Sequence, residues 1–232
     1  MMPMLQRVRR SYIRLLAHLF PIRHKERHEL AYWRGKKAAE GVLGNGHYEF
    51  FFSDYFGLSR AFYSGKRVLD IGCGPRGSLE WADMTAERVG VDPLASEYLE
   101  LGASAHRMRY VDAPAERMPF TDGYFDVVTT LNSLDHVADL GRTVREIGRV
   151  LKPGGTLLVI VEVNHPPTDT EPITIGWDVP DLFASFADVV GQRRYEIGDH
   201  DIYRQIKIDA RFDESAQDGR PGIFTGRFVR RS

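Results

Sequence analysis

A short acidic and glycine-rich segment has the clearest chemical potential in this sequence. The apolar residues Val68 and Leu69 lead into Asp70, and Gly72 and Gly74 follow almost at once. This order is typical of a buried strand, a tight loop and a helix that starts near residue 78. Glycines in such a loop let the backbone approach a ligand that a Cβ atom would keep away. The segment therefore predicts a ligand site with a carboxylate at its base.

Acids also follow the other predicted strands. Ligands of an open parallel sheet bind beyond the carboxyl ends of its strands. Asp92 lies 20 positions beyond Gly72, where an acid at a strand end can accept hydrogen bonds from two ribose hydroxyls, although it could instead cap a helix. These ends are rich in acids and poor in lysine, which favours a cationic ligand with a ribose over a phosphate-rich one. The further strand-end segments are 112–116, 131–136 and 162–165.

Strand and helix patterns alternate from residue 66 onward. Strands are predicted at 67–71, 88–91, 107–111, 125–131 and 156–163, and helices at 78–86, 95–102 and 140–151. After a further helix at 179–186, strand-like runs follow at 188–197, 202–212 and 223–229. Alternation of this kind predicts an α/β fold with a doubly wound, mostly parallel sheet and an antiparallel last strand. Residues 1–64 are predicted to form a helical N-terminal cap or lid, and residues 65–232 the ligand-binding domain.

Composition limits the class of protein. The net charge of −1 gives no global basic field for nucleic acid, which makes a nucleic-acid partner unfavoured. The single cysteine, Cys73, excludes an internal disulfide framework and suits a reducing, cytoplasmic compartment. Its place inside the glycine loop favours a small packing residue over a nucleophile. No apolar run is long enough to span a bilayer.

The N-terminal segment has an amphipathic pattern. Arginines at 7, 10 and 14 fall on a different helical face from its apolar residues. A basic amphipathic helix can lie on an anionic membrane surface, but packing on its own domain or on a second subunit of a homodimer is the favoured interpretation. The apolar residues at helical spacing are Leu5, Val8, Tyr12, Leu15, Leu16 and Leu19.

The glycine spacing alone leaves two cofactors open. Gly72, Gly74 and Gly77 satisfy the dinucleotide fingerprint, so an NAD-dependent oxidoreductase is one alternative. Against it, Asp70 would place a negative charge near a pyrophosphate.

Four segments in order resemble class I S-adenosylmethionine-dependent methyltransferases of the type 11-like kind. Residues 68–74 resemble motif I of that family, and residues 90–92 its acidic strand end. Residues 115–120 with 125–128 are similar to its adenine loop and fourth strand, and residues 151–156 to the turn into its fifth strand. The resemblance covers about 66–163 and implies a Rossmann-like, seven-stranded sheet. Arg76 replaces the usual third glycine, and Pro114 replaces an aspartate.

The resemblance assigns S-adenosylmethionine to the predicted site. It implies that the methionine end lies against Asp70 and the 72–74 loop, the ribose against Asp92, the adenine near residues 115 and 116, and residues 131 and 132 beneath the methionine. The implied cofactor-binding residues are Asp70, Gly72, Cys73, Gly74, Asp92, Pro93, Ala115, Glu116, Leu131 and Asn132.

Transfer of the methyl group to a hydroxyl needs a base. His136 is the first choice because it follows the fourth strand and titrates near neutral pH, although it could merely cap a turn. Asp135 could orient an imidazole or bind the acceptor. Alternative bases are His47, Glu162, His165 and His200. Asp135, Glu162 and His165 could instead bind Mg²⁺ that holds two acceptor hydroxyls.

The acceptor is the least constrained part of the prediction. The aromatic residues Trp33, Tyr48, Phe52 and Trp177 could enclose a small molecule. A general resemblance to methyltransferases that accompany bacterial polysaccharide biosynthesis suggests O-methylation of a saccharide or similar hydroxyl-bearing acceptor. A scaffold that binds S-adenosylmethionine without catalysis is the second alternative.

Overall fold

The computed structural model describes residues 21–215 and 219–232. The predicted basic amphipathic segment around Arg7, Arg10 and Arg14 lies outside these residues. Within the described part of the chain, no helix is both long and apolar enough to cross a membrane.

A seven-stranded sheet forms the centre of the fold. Its spatial order is β3-β2-β1-β4-β5-β7-β6, and β7 runs antiparallel to both of its neighbours while the other strand pairs are parallel. The predicted Rossmann-like sheet with an antiparallel last strand is therefore confirmed. The strands are β1 (Arg67–Ile71), β2 (Glu87–Asp92), β3 (Arg109–Asp112), β4 (Phe125–Leu131), β5 (Leu151–Val163), β6 (Ala187–Glu196) and β7 (Gly222–Arg230).

Both faces of the sheet are buried, because successive side chains of a strand point to opposite sides. In β1, Leu69 and Ile71 pack into one apolar cluster and Val68 into the other. In β4, Val128 and Val127 divide in the same way. Near-continuous apolar runs in the central strands are the expected signature of such a sheet.

Helices and turns cover the two faces. The helix α5 begins after Asp139, whose side chain accepts a hydrogen bond from the Arg142 N–H, and this cap explains where the helix starts. A 3₁₀ turn, Leu134–His136, follows β4. The helices are α1 (Pro21–Glu40), α2 (Tyr48–Phe52), α3 (Arg60–Tyr63), α4 (Ala95–Glu100), α5 (Leu140–Val150), α6 (Val179–Phe183) and α7 (Ile202–Lys207).

The helix predicted at 78–86 does not form. The chain there makes successive turns, closed by hydrogen bonds such as the one from the Glu80 N–H to the Gly77 carbonyl (3.1 Å). Ser78, the expected helix start, donates its hydroxyl proton to Asp70 instead of capping a helix. Leu79 is fully buried, so packing and this long-range bond outweigh local helix propensity.

The strand predicted at 202–212 is also wrong, because residues 202–207 form α7. The side chain of Asp201 accepts a hydrogen bond from the Arg204 N–H, which caps the helix. Ile202, Gln205 and Ile206 are buried, and this spacing is helical rather than alternating. Only Arg211 pairs with a strand residue, through an isolated bridge to Tyr195.

Candidate functional site

A cleft of about 1590 Å³ opens at the carboxyl ends of β1, β2, β4 and β5. The loops that follow these strands form its floor. Side chains of α1, among them Glu29 and Trp33, also line it, so this helix forms a roof over the strand ends. The cleft lies at the strand ends where the sequence analysis expects a ligand, while the ligand site itself and the division of the chain into a cap and a domain stay predictions.

The glycine loop is tightly packed beneath the roof. Gly72 has a φ of 68°, and a Cβ atom there would lie 2.3 Å from the Cβ of Ser133. A Cβ at Gly74 would lie 3.3 Å from the ring of Trp33. Both positions therefore need glycine, and the loop backbone remains part of the cleft wall.

Asp70 lies beneath the loop and is not part of the cleft wall. Its carboxylate accepts hydrogen bonds from Ser78 Oγ (2.5 Å) and Thr129 Oγ1 (2.7 Å). Burial raises its pKa to about 6, although both hydroxyls favour the charged form. Asp70 therefore anchors the loop from below, and its direct contact with the ligand stays a prediction.

Asp92 does reach the cleft, at the end of β2. One carboxylate oxygen accepts a hydrogen bond from the Leu94 N–H (2.9 Å) and the other from the Gly74 N–H (3.3 Å). Burial and the nearby Glu29 carboxylate raise its pKa to about 7. Asp92 does not cap α4, because the residue at that cap position is Leu94. Asp92 is therefore a buried acid whose carboxylate oxygens can accept further hydrogen bonds.

Most of the other predicted cofactor contacts also line the cleft. Burial raises the pKa of the Cys73 thiol, which packs so closely on Gly90 that a Cβ there would lie 2.5 Å from the sulfur. This supports a packing role for Cys73. Asn132 adopts a φ of 51°, and its side-chain oxygen accepts a hydrogen bond from the Glu162 N–H (3.3 Å). The cleft wall includes Gly72, Cys73, Gly74, Asp92, Pro93, Ala115, Glu116, Leu131 and Asn132.

Glu116 has a structural contact that the sequence did not indicate. Its Oε1 accepts hydrogen bonds from the N–H groups of Ala138 (2.7 Å) and Asp139 (3.0 Å). The side chain therefore fixes the loop that precedes α5 while it lines the cleft.

His136 lies at the junction of the floor and the roof. Its Nδ1 is 3.6 Å from Glu29 Oε2, and its Nε2 is 3.7 Å from Glu171 Oε1. Burial opposes the charged imidazole, but Glu29 and Asp135 outweigh it and raise the pKa of His136 above its usual value. Lys25 of α1 donates a hydrogen bond to the His136 carbonyl.

Asp135 and His165 form a buried pair beside His136. Asp135 is 1% exposed, and its Oδ2 lies 3.2 Å from His165 Nε2. Among the described residues, neither Asp135 oxygen nor His165 Nε2 has a hydrogen-bond partner of good geometry. Burial raises the pKa of Asp135. Unsatisfied buried groups of this kind are costly, which marks the position as a place for ligand atoms.

The residues that lie close enough to share a metal ion differ from the predicted set of Asp135, Glu162 and His165. Among the described residues, Asp135, His136 and Glu171 each place a ligand atom within 4.8 Å of one another. Glu162 instead faces His200, whose Nδ1 lies 3.6 Å from Glu162 Oε2. Glu171 therefore takes the place expected for Glu162.

Two of the four predicted aromatic wall residues line the cleft, namely Trp33 and Tyr48. Phe52 is fully buried against Trp81. Trp177 packs on Phe212 with ring centroids 4.6 Å apart. The alternative bases His47, Glu162, His165 and His200 all line the cleft, but Glu29 and Glu171, which flank His136, were missed.

Comparison with known proteins finds similarity to methyltransferases. Residues 69–159 match the model of a methyltransferase domain family. The ubiquinone/menaquinone biosynthesis C-methyltransferase UbiE of Pseudomonas aeruginosa is 39% identical over 121 residues, which are 46% of this chain and 45% of that protein. The sterol 4-C-methyltransferase strm-1 of Caenorhabditis elegans is 39% identical over 113 residues, 44% of this chain and 34% of that protein. The matches thus span less than half of these relatives.

The fold agrees with these sequence matches. An S-adenosylmethionine-dependent methyltransferase from Mesorhizobium loti aligns with a TM-score of 0.53 and 18% identity, over 76% of this chain and all of that one (100%). The family match, the strand order and the acid-lined cleft together decide against the dinucleotide interpretation of the glycine loop. Residues 69–159 therefore match a methyltransferase domain, and the sheet has the fold of a solved S-adenosylmethionine-dependent methyltransferase.

Proposed function

We propose that this protein transfers a methyl group from S-adenosylmethionine to a hydroxyl oxygen of a small polyol acceptor such as a saccharide. The observation that carries the proposal is the set of buried polar atoms without hydrogen-bond partners beside His136. The general part of the proposal, methyl transfer, rests on the family match. Its specific part, the hydroxyl acceptor, rests on the chemistry of the cleft around His136.

The cofactor end of the cleft suits a cationic nucleoside. Asp92 is a buried carboxylate whose pKa of about 7 reflects its burial and the nearby Glu29 carboxylate, which the Leu94 and Gly74 N–H groups only partly offset. Two ribose hydroxyls would supply such donors. The backbone of the Gly72–Gly74 loop and Ala115 lie around the same space. These groups fit S-adenosylmethionine. A diphosphate would instead place its negative charge against the Asp92 carboxylate.

The acceptor end is polar. Glu162 and Glu171 supply carboxylates to this wall, and burial together with the Glu171 carboxylate raises the pKa of Glu162. His165 and His200 add imidazole groups to the same wall. Hydroxyls of a polyol can donate to the carboxylates and accept from the imidazoles. An apolar ring system would leave these groups unpaired, which supports a polyol acceptor.

Proton removal is assigned to His136. S-adenosylmethionine supplies a methyl group on a positively charged sulfur, and its displacement by an acceptor oxygen leaves S-adenosylhomocysteine and one proton to be removed. Glu29 lies on the Nδ1 side of the His136 ring, so the imidazole is oriented with Nε2 toward Glu171 and Asp135. The raised pKa makes it a stronger base near neutral pH. The buried Asp135, whose Oδ2 lies 3.2 Å from His165 Nε2, orients His165, which lines the cleft.

A second candidate is C-methylation, because the UbiE and strm-1 relatives are both C-methyltransferases. A carbon nucleophile next to a phenol would use the same base on the phenolic hydroxyl. The product decides between the two, because an O-methyl group and a C-methyl group differ in their NMR shifts.

The division of the chain at residue 64, a homodimer and a cytoplasmic location stay predictions.

The test is a screen with radiolabelled S-adenosylmethionine against mono- and oligosaccharides and against phenols. With an active acceptor, His136→Asn is expected to lower kcat by about 10²–10⁴-fold while the cofactor Kd stays within about twofold. His106→Asn, a histidine outside the cleft wall, is the matched control and is expected to retain wild-type turnover. Full turnover by His136→Asn would remove the base assignment. Tight cofactor binding without a labelled product from any acceptor would favour the non-catalytic scaffold.

A further inference from the structure

Arg76 joins the glycine loop to the end of the roof helix. It lies between Gly74 and Gly77, and its side chain is only 15% exposed. Its two terminal guanidinium nitrogens each donate to one carboxylate oxygen of Glu40, at 2.8 and 2.7 Å. Glu40 is the last residue of α1. A fork that holds both oxygens of a carboxylate fixes the direction of the contact as well as its distance, which a single ammonium group does not.

Two further contacts extend this link along the cleft wall. The Arg76 nitrogen Nη1 also donates to the carbonyl of Gly44 (3.1 Å), which lies in the segment between α1 and α2. The guanidinium carbon lies 5.5 Å from the ring centroid of Trp33, within the range of a cation–π contact. The same ring packs over the loop at Gly74. Arg76 therefore contacts α1 at two positions and the segment that follows it.

The wall of the cleft is shared between the roof and the floor. Arg76, Glu40 and Trp33 line the same cleft as the glycine loop and Asp92. A ligand that fills this space would contact α1 as well as the loop. Its affinity therefore depends on how firmly the helix and the loop are held at one separation.

The two ends of α1 are held by different groups. Lys25 donates a hydrogen bond to the His136 carbonyl, and Glu29 Oε2 lies 3.6 Å from His136 Nδ1. These contacts tie the first half of the helix to the turn after β4. The pair of Arg76 and Glu40 ties its last turn to the glycine loop. Loss of this pair should loosen the cofactor end of the roof while the contacts at His136 remain.

We propose that Arg76 is a positioning residue for the cofactor, because through Glu40 and Trp33 it holds the end of α1 over the glycine loop. A site whose binding-competent arrangement is only partly populated binds its ligand more weakly, in proportion to that population. By fixing the roof, Arg76 raises the affinity of the cleft for S-adenosylmethionine. The identity of this ligand is taken from the proposed function, on which the inference rests.

The test is calorimetric titration of the full chain with S-adenosylmethionine. Arg76→Gln keeps most of the side-chain stem but loses the charge and the fork, and its Kd should rise about 3–10-fold, as for a partly exposed ion pair of good geometry. Glu40→Gln should raise the Kd by a similar factor. The double variant should bind no more weakly than the weaker single variant, because both changes break the same contact. Arg76→Lys, which keeps a charge opposite Glu40, should recover part of the affinity.

Arg109→Gln is the matched control. Arg109 also donates two hydrogen bonds to one glutamate, from Nε (3.1 Å) and Nη2 (2.7 Å) to Glu87 Oε1, but neither residue lines the cleft. This variant should keep the wild-type Kd. Hydrogen exchange of the ligand-free chain gives a second measurement, in which the amides of residues 33–46 should exchange faster in Arg76→Gln while those of β1 and β4 stay as in the wild type.

Faster exchange of these amides with an unchanged Kd would reduce the pair to a structural contact and would overturn the inference. Weaker binding by Arg76→Gln but wild-type binding by Glu40→Gln would also overturn it, in favour of a direct contact between Arg76 and the cofactor. Either result would leave the proposed reaction untouched. Absence of binding by the wild-type chain would instead remove the proposed function, and this inference with it.

Discussion

Replacing Asp92 by asparagine is expected to stabilise the ligand-free protein and to weaken its binding of S-adenosylmethionine. Burial and the nearby Glu29 carboxylate raise the folded-state pKa of Asp92 to about 7, above the ordinary value of an aspartate, about 3.8. Because the folded pKa is raised, the stability contributed by this group is fully present below about pH 4 and is lost as the pH rises through about 7. At pH 8 the native protein therefore holds an ionised carboxylate at an energetic cost.

The magnitude follows from the shift and from the local hydrogen bonds. A shift of about three pKa units corresponds to about 4 kcal/mol. Asparagine keeps an oxygen for the Leu94 N–H, but its amide group cannot accept from the Gly74 N–H, which costs about 1–3 kcal/mol. The expected net gain in the free energy of unfolding at pH 8 is about 1–3 kcal/mol. Loss of one charged ribose acceptor should raise the Kd for S-adenosylmethionine about 5–150-fold.

Denaturant unfolding at pH 5 and pH 8, together with calorimetric titration of the cofactor, measures both effects. Asp112→Asn is the matched control, because Asp112 is the register partner of Asp92 in β3 but is exposed. The control should change neither quantity appreciably. The reasoning would be refuted by an Asp92→Asn protein that is less stable at pH 8 and binds the cofactor with wild-type affinity.

Two further predictions concern the catalytic end of the cleft. Glu29 raises the pKa of His136, so Glu29→Gln should lower that pKa and shift the acidic limb of the kcat–pH profile to lower pH; an unmoved limb would show that His136 is not the titrating base. Direct proton transfer to His136 needs no metal, so EDTA should leave the rate unchanged. A rate lost with EDTA and restored by Mg²⁺ or Mn²⁺ would instead show that Asp135, His136 and Glu171 hold an ion.

The sheet and the cofactor end of the cleft were predictable because their signals are local. Each central strand contains a short apolar run, and its cleft-lining residues stand at its end or directly after it, as Asp92 stands at the end of β2. The strand order then brings these ends together at one edge of the sheet. Local sequence and global fold agree here, so the motif residues fall where the pattern predicts them.

The partners of His136 were not predictable in this way. Glu29 lies in α1, more than 100 positions earlier in the chain, and Glu171 lies in an irregular segment after β5. No spacing rule connects either residue to the turn after β4. Ser78 failed as a predicted helix start for a similar reason, because its hydroxyl is engaged by the distant carboxylate of Asp70. Only the folded chain reveals such contacts.

Calorimetric titration of the full chain with S-adenosylmethionine and with NAD tests the central claim most directly. The acid-lined cleft should bind S-adenosylmethionine saturably, with S-adenosylhomocysteine as a competitor, and should give little or no heat with NAD. Absence of S-adenosylmethionine binding, or tighter binding of NAD, would contradict the account of the site.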